Sequence, residues 1–301
     1  MINLQKVMRN DRVSKALTGL RVAEFENLEP VFEACLVAHR HKLKPKRKRK
    51  IGGGQKGSLR TVGEKLCFVL MYLKIYPTYD VMGVLTDRER SKCCESIQLL
   101  LPALEMALGR KQALPERKIT SVEDFVRLFP EVKDVFIDGT ERPVQKPKKI
   151  KRRNKLYSGK KKAVTRKVVV VTDEKKRILQ MSPTKSGRRH DKRILDKFQM
   201  IRSIPPQVAI WTDTGFQGIH HNHPNTVMPV KASKKKPLSD SQKQDNHLIS
   251  SVRVLSEHAI SGIKRLKAAS DIYRNKLPNL DHSFTFLAAG IWNFHLQQTH
   301  A

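Results

Sequence analysis

Long apolar runs and paired cysteines are both missing from this 301-residue sequence. No segment approaches the roughly 20 apolar residues that cross a bilayer, and the amino-terminal stretch lacks the apolar core of a signal peptide. We therefore expect a soluble, intracellular protein with no membrane partner. The four cysteines, Cys35, Cys67, Cys93 and Cys94, have no Cys-x-x-Cys spacing and sit among apolar residues. They are predicted to be small core residues rather than zinc ligands or disulfide partners.

Acidic residues are also scarce, with 28 Asp and Glu against 60 Lys and Arg, which leaves a net charge of +32. A chain with this imbalance is expected to associate with a polyanion. Nucleic acid is the first candidate, and a membrane surface is the rival.

The first part of the chain predicts helices and a linker. Apolar residues between positions 18 and 43 recur at helical spacing, which predicts a packing helix. The basic run from Lys42 to Lys50, followed by three glycines, predicts a flexible linker. It could lie along phosphates, and a simply solvated linker is an equal alternative.

Residues 58 to 109 predict three helices, of which the middle one, near Tyr79, is short. Thr61 with Glu64 and Thr86 with Glu89 match the capping box that opens a helix. Basic residues fall in the first turns of the third helix, which is the outline of a helix-turn-helix that enters a DNA groove. The alternative is a plain helical bundle with solvated charges. The predicted DNA contacts in this region are Arg88, Arg90 and Lys92.

After a short helix capped by Ser121, the pattern becomes strand-like beyond residue 130. A short apolar strand at residues 135–137 ends at Asp138, and Gly139 follows. From Lys146 to Lys167, 12 of the 22 residues are basic and none is acidic. Because such a segment repels itself unless a polyanion neutralises it, we favour a loop that follows phosphates over disorder. Its predicted DNA contacts are Lys149, Arg152, Arg153, Lys160 and Lys161.

A second aspartate, Asp213, follows the apolar stretch 208–211 and precedes a turn. An antiparallel hairpin (165–172 with 178–182), a helix that Asp191 is expected to cap, and a strand near 226–230 complete the pattern. If the helix is a right-handed crossover, the strands before Asp138 and Asp213 lie parallel and both carboxylates leave the same sheet edge. An ordinary Asp-x-Gly turn is the alternative for Asp213. The histidines at 220, 221 and 223 are assigned to a surface loop.

Glu257 is the candidate third carboxylate. Ser239 and Gln242 form a further capping box, which opens a helix running to about residue 266. At 100° per residue, Glu257 shares a face with Arg253 and Lys264, opposite the apolar stripe. A solvated ion-pair face is the strong alternative.

These motifs together resemble the DDE transposases of the insertion sequence 5 family, which is related to PIF/Harbinger elements. The resemblance rests on Asp138-Gly139-Thr140, Thr212-Asp213-x-Gly215-Phe216-x-Gly218, His223-Pro224-Asn225, Arg253-x-x-x-Glu257-His258 with Lys264, and Tyr273-Arg274-Asn275. It implies an RNase H-like mixed sheet flanked by helices, with an all-α helix-turn-helix domain before it. Asp138, Asp213 and Glu257 would be the catalytic, metal-binding triad. Ser250 stands where the related signature has tyrosine, which leaves a tyrosine role at the DNA end in doubt.

The resemblance also implies cofactors and partners. Carboxylate oxygens suit Mg²⁺ or Mn²⁺, and two such ions about 3.5–4 Å apart can serve in-line phosphoryl transfer. Asp138 would bridge the ions, Asp213 and Glu257 would each complete one, and Arg253 and Lys264 would hold phosphates. The expected partners are double-stranded DNA, as transposon ends and target, and further copies of the chain in a dimer or higher oligomer. The expected location is the bacterial cytoplasm, at the nucleoid.

We expect three regions: an amino-terminal helix and basic linker (1–57), a helix-turn-helix domain (58–130) and a catalytic domain (131–301). The expected function is metal-dependent cleavage and strand transfer at the terminal inverted repeats of an insertion sequence. Two alternatives stay open: an RNase H-like endonuclease without strand transfer, and a non-catalytic DNA-binding regulator.

Overall fold

The computed structural model describes residues 2–46, 57–233 and 237–299. Most of the predicted basic and glycine-containing linker lies outside these residues. The helices are α1 (Leu4–Val7), α2 (Asp11–Thr18), α3 (Val22–Leu43), α4 (Val62–Ile75), α5 (Tyr79–Thr86), α6 (Arg90–Arg110), α7 (Val122–Leu128), α8 (Ile150–Leu156), α9 (Asp191–Lys197), α10 (Asp240–Lys264), α11 (Lys267–Ser270) and α12 (Leu280–Thr299). The strands are β1 (Asp134–Pro143), β2 (Tyr157–Ser158), β3 (Ala163–Asp173), β4 (Ile178–Met181), β5 (Lys185–Ser186), β6 (Ala209–Thr212) and β7 (Thr226–Val227).

The chain divides into two compact units. One contains the described residues of 1–114, 263–271 and 284–301, and the other contains those of 115–262 and 272–283. The two breaks at residues 263 and 284 fall within α10 and α12. The division of the chain into three regions stays a prediction.

Helix α4 is the centre of the first unit. Its residues Leu66–Leu73 are all buried, as expected for a helix that is apolar on every side. The Tyr72 ring lies 5.5 Å from the ring of Tyr79, against which it stacks, and 5.9 Å from that of Phe284. Through these contacts α4 packs against the start of α5 and against the start of the part of α12 that belongs to this unit.

A mixed sheet is the framework of the second unit, with the strand order β2-β3-β1-β6-β7, and β4 and β5 also pair with β3. Strand β1 is antiparallel to β3 and parallel to β6. One face is covered by Ile194 and Leu195 of α9, which pack with Ile137 and Val169. The mixed α/β class, the hairpin of β3 and β4, and the parallel pairing of the two aspartate-bearing strands are as predicted from the sequence.

Of the four helix starts predicted from a capping hydroxyl, three are correct and one is wrong. Thr61, Ser121 and Ser239 each accept the backbone N–H three residues on, at 3.1–3.2 Å. Thr86, in contrast, belongs to the last turn of α5, and its Oγ1 donates to the Met82 carbonyl at 2.7 Å. Because Asp87 then adopts a left-handed conformation with φ of 53°, α6 begins only at Arg90. The hydroxyl is used to end one helix and cannot open the next.

Strand β1 is longer than the sequence pattern predicts. We expected it to end at Asp138, but it runs on to Pro143 because β3 pairs with it throughout, from Val135–Asp173 to Pro143–Thr165. Part of the basic segment is likewise not a loop, since residues 150–156 form helix α8. Backbone pairing with neighbouring strands and turns therefore gives regular structure to stretches of sequence that have no apolar periodicity of their own.

The capping box of α4 generates a stability prediction. Thr61→Ala removes the hydroxyl that accepts the Glu64 N–H, while Glu64 still accepts from the Thr61 N–H at 3.0 Å. We expect a loss of about 1 kcal/mol in the free energy of unfolding, measured by urea titration. Ser91→Ala, an exposed hydroxyl that caps no helix, is the control and should change it by less than about 0.5 kcal/mol. Equal losses in both variants would contradict the capping role.

Candidate active site

Asp138 and Asp213 occupy matching positions on neighbouring parallel strands. Strands β1 and β6 pair in register from Asp134–Ala209 to Ile137–Thr212, where β6 ends. The next residue on each strand is an aspartate. The two carboxylates therefore lie side by side, Asp138 within β1 and Asp213 at the carboxyl end of β6.

Three side-chain contacts hold this register. The Trp211 indole N–H donates to Asp134 Oδ1 at 2.6 Å, and the Thr212 hydroxyl donates to the Ile137 carbonyl at 3.3 Å. The Trp211 ring also stacks on Phe136, with 6.2 Å between ring centroids. A slip of one residue would lose all three contacts, because it would turn these side chains to the other face.

Each aspartate is oriented by a backbone amide. The Gly139 N–H donates to Asp138 Oδ1 at 2.6 Å, and the Gly215 N–H donates to Asp213 Oδ1 at 2.8 Å. Asp213 thereby caps the 3-10 helix Thr214–Phe216. The Asp-x-Gly turn is therefore present, and it positions the carboxylate beside Asp138. A turn and a functional carboxylate are compatible here.

Burial raises the pKa of Asp138 to about 6. The hydrogen bond from Gly139 and the charges of Arg253 and Lys160 oppose this rise, whereas the negative charge of Asp213 adds to it. A desolvated carboxylate beside a second negative charge binds either a proton or a cation. The pair therefore has the electrostatics of a cation site.

Glu257 is the predicted third carboxylate of the site. It is exposed on α10, one turn beyond Arg253, whose charge does reach Asp138. Within the described ranges 2–46, 57–233 and 237–299, no group of three or more His, Cys, Asp or Glu side chains is arranged to hold a metal ion. The third position of the triad remains a prediction.

The chemistry of the paired aspartates fits a hard divalent cation. Mg²⁺ and Mn²⁺ prefer carboxylate oxygens and are often held by one or two carboxylates, with water and substrate phosphates completing the shell. Asp138 and Asp213 supply such oxygens from neighbouring parallel strands.

Two predicted DNA contacts, Arg253 and Lys160, lie within electrostatic reach of Asp138. Lys160 lies in the turn that follows strand β2, and the basic residues Lys149, Arg152 and Lys161 of the same segment are exposed. Arg153 lines a cavity of about 530 Å³ together with Lys146, Lys162 and the exposed ring of Tyr157. A basic surface therefore continues from the aspartate pair along the far end of β1.

Comparison with known proteins gives a family. The sequence pattern of the DDE superfamily endonucleases matches residues 137–289, which include both aspartates and Glu257. The chain belongs to this family. It is also 26% identical, over 95% of either chain, to a protein from Microchaete diplosiphon described as the probable transposase for insertion sequence element IS702. No solved structure matches.

Membership of the DDE endonucleases makes this chain a nuclease of the transposase type, with DNA as its substrate and dependence on a divalent metal. The described helices include none long and apolar enough to cross a membrane. All four cysteines are free, and Cys35, Cys67 and Cys93 are buried. Their predicted role as core residues is correct for these three.

Of the three predicted DNA contacts near the start of α6, Arg88 is engaged within the fold of this endonuclease, whereas Arg90 and Lys92 are exposed. Arg88 lies over the Phe68 ring at 5.5 Å and donates to Ser96 Oγ at 3.0 Å. Arg90 pairs with Asp80 at 3.8 Å, and Lys92 pairs with Glu95 at 3.1 Å, both on the surface. Arg88 therefore packs the turn between α5 and α6. Helices α4 to α6 occur in the predicted order, and their role in binding DNA stays a prediction. Lys264 is exposed at the end of α10, and its role in binding DNA also stays a prediction.

Two residues were misjudged from the sequence. Asp191 does not cap α9: it is the first residue of that helix, and its carboxylate pairs with buried Lys167 at 2.9 Å. His223 does not lie in a surface loop but is buried, with Nε2 3.1 Å from the Pro205 carbonyl. Sequence spacing could not predict the contacts of either residue, because the partner of each is distant in the chain. For Asp191, the only local signal was the pair of apolar residues Ile194 and Leu195, which pack α9 against the sheet.

The raised pKa of Asp138 generates a pH prediction. Because the folded value of about 6 exceeds the ordinary 3.8, the folded chain binds this proton more tightly than the unfolded chain. The resulting stabilisation is complete below about pH 3.8 and is lost as the pH rises through about 6. Asp138→Asn, which stays neutral, should therefore melt at a higher temperature than wild type at pH 8 without divalent metal, and at a similar temperature at pH 4.

Thermal unfolding followed by circular dichroism measures this difference. The exposed Asp245→Asn on α10 is the control and should melt with wild type at both pH values. If Asp138→Asn gained as much at pH 4 as at pH 8, the ionised carboxylate would not be the cause.

Proposed function

We propose that this DDE endonuclease is a transposase, which binds the terminal inverted repeats of an insertion sequence, cleaves them and joins them to target DNA. The observation that carries the proposal is the alignment of Asp138 and Asp213 on parallel strands inside the region that matches the endonuclease family. The relative described as a probable transposase covers nearly the whole chain, which supports strand transfer beyond simple cleavage. An RNase H-like arrangement of the sheet belongs to the same proposal.

Asp138 and Asp213 would hold Mg²⁺ or Mn²⁺, and Glu257 would complete the set. When bound, the ions supply activation of an attacking hydroxyl and stabilisation of the leaving oxygen. Arg253 precedes Glu257 by one helical turn and already reaches Asp138 electrostatically. A motion that brings α10 closer to β1, or the arrival of DNA phosphates, would bring Glu257 toward the pair. Arg253 and Lys160 would hold the scissile phosphate and its neighbour.

The basic segment around α8 would follow the DNA backbone. Its exposed lysines and arginines form no ion pair with an acidic side chain of the described residues, and charge on this scale favours phosphate. The helices α4 to α6, with Arg90 and Lys92 exposed, would bind the terminal repeats, and Lys264 would add a phosphate contact. Since two element ends are joined in one reaction, the working form would be a dimer or a higher oligomer.

Loss of a single carboxylate tests the chemistry. Asp213→Asn preserves the size of the side chain and its cap on Gly215 but removes the negative charge. Because a catalytic metal contributes several kcal/mol, we expect cleavage of a supercoiled plasmid bearing the element's ends, with Mg²⁺, to fall by roughly a hundredfold or more. Gel separation of nicked, linear and joined products measures both cleavage and transfer.

Asp245→Asn removes a carboxylate from the surface of α10 and is the matched control, with wild-type activity expected. Asp213→Asn that cleaves as well as wild type would refute the catalytic proposal and leave a DNA-binding regulator. Cleavage by wild type without joined products would leave an endonuclease that lacks strand transfer.

The basic segment has its own test. Arg152→Gln combined with Arg153→Gln should weaken DNA binding for every sequence alike and lower the slope of log K against log salt by roughly 2, since each phosphate contact contributes about 0.9. Fluorescence anisotropy from 50 to 300 mM salt measures the slope. Lys175→Gln with Lys176→Gln, in the turn between β3 and β4, is the control of equal charge. A slope that falls equally in both pairs would indicate a general charge effect.

A further inference from the structure

A buried charged cluster lies on the face of β1 opposite Asp138. It consists of Lys167 on β3, Glu141 on β1 and Asp191 at the start of α9, and we call it the β1 anchor. Lys167 Nζ lies 3.1 Å from Glu141 Oε1 and 2.9 Å from Asp191 Oδ1, and it donates to the Arg189 carbonyl at 3.1 Å. The three side chains are only 6%, 5% and 12% exposed. One cation thus joins β1, β3 and α9.

Asp191 lies directly against the strand that carries Asp138. A methyl group added at Gly139 would lie 3.0 Å from both Cγ and Oδ1 of Asp191. The carboxylate therefore fills the space that a side chain at 139 would need. The same Gly139 residue uses its N–H to hold Asp138 Oδ1 at 2.6 Å on the other side of the strand. Asp191 thus contacts the Gly139 backbone, and the Gly139 backbone in turn holds the Asp138 carboxylate.

Stability alone does not account for this arrangement. A buried ion cluster is often no more stabilising than apolar residues of the same volume, because of the cost of desolvating its charges. Other residues on this face, such as Ile137, Val169 and Ile194, are apolar. What distinguishes the cluster is its position against one residue, Gly139. Lys167 is itself held by Glu141 and by the Arg189 carbonyl, so Asp191 has a fixed cation as its partner.

We propose that Asp191 is a positioning residue: anchored by Lys167, it fixes the Gly139 backbone and thereby the orientation of the Asp138 carboxylate. The missing side chain of Gly139 makes room for Asp191. The inference rests on the proposed function, in which Asp138 binds the divalent ion. The same contact would set how well the aspartate pair accepts Mn²⁺ before any DNA is bound.

Asp191→Asn is the first test, because asparagine fills the same volume and keeps the helix start but weakens the pairing with Lys167. We expect the full-length protein to stay folded, with Mn²⁺ affinity in the absence of DNA reduced roughly tenfold or more, as for other residues that orient a metal ligand. The kcat for plasmid cleavage should fall by a similar factor, while KM for DNA stays unchanged. Isothermal titration gives the affinity, and circular dichroism gives the melting temperature.

Asp196→Asn is the matched control, since it lies on the same helix and also loses a lysine partner, Lys192, but its side chain is exposed. It should keep both Mn²⁺ affinity and kcat. If Asp191→Asn lowers only the melting temperature, with Mn²⁺ affinity and kcat retained, Asp191 is structural and the proposal is wrong. If wild type binds no Mn²⁺ and Asp138→Asn cleaves as well as wild type, the proposed function itself fails.

A double-variant cycle tests the contact between the two residues. Gly139→Ala should reduce Mn²⁺ affinity because its methyl group displaces Asp191, whereas Asp191→Ala empties that space. If both act through one contact, Gly139→Ala should have a smaller further effect on affinity and kcat in the Asp191→Ala background than in wild type. Fully additive effects would show that the residues act independently and would overturn the proposal.

Discussion

The in-register parallel pairing of β1 with β6 is the constraint on which the candidate site depends. Because Ile137 and Thr212 are the last paired residues, the aspartates that follow them arrive side by side without any further device. A parallel pair needs a crossover, and here the intervening chain supplies the β3–β4 hairpin and α9 before returning as β6. The indole of Trp211 on Asp134 and the stacking on Phe136 then exclude a shifted register.

The proximity of the two carboxylates, which follows from this strand pairing, destabilises the metal-free chain. Two carboxylates close together, one of them desolvated enough to titrate near pH 6, raise the free energy of the folded state. The surrounding sheet tolerates this because its other face is closely packed against α9 and its strands are held by continuous ladders. Nearby Arg253 and Lys160 offset part of the repulsion, and the same cations are suited to bind the phosphates of a DNA substrate. A divalent ion would remove the remainder.

How far the sequence predicts each residue depends on the range of the interaction. The helix starts at Thr61, Ser121 and Ser239 were predictable because a cap joins residues three positions apart. At Thr86 the same local rule failed, since Asp87 turns the chain and the hydroxyl is used within α5. Arg88 was predicted as a DNA contact from its charge and its place at the start of the third helix, but the ring of Phe68, 20 positions earlier in the chain, lies against it. Asp191 was misjudged for the same reason: Lys167 and Gly139 lie more than 20 positions away.

By itself, the sequence determined the class of the fold, the polyanion partner implied by the net charge, the two aspartates and the family resemblance that the comparisons confirm. Those properties follow from composition, short periodicities and motifs, which are local. Only the tertiary structure decided that β1 continues past Asp138, that Arg253 and Lys160 reach that carboxylate while Glu257 stays exposed, and that Asp191 presses on Gly139. Each of these depends on strand register and on a helix meeting a sheet across a long stretch of chain. Sequence spacing does not encode such distances, because the packing of the whole unit sets them.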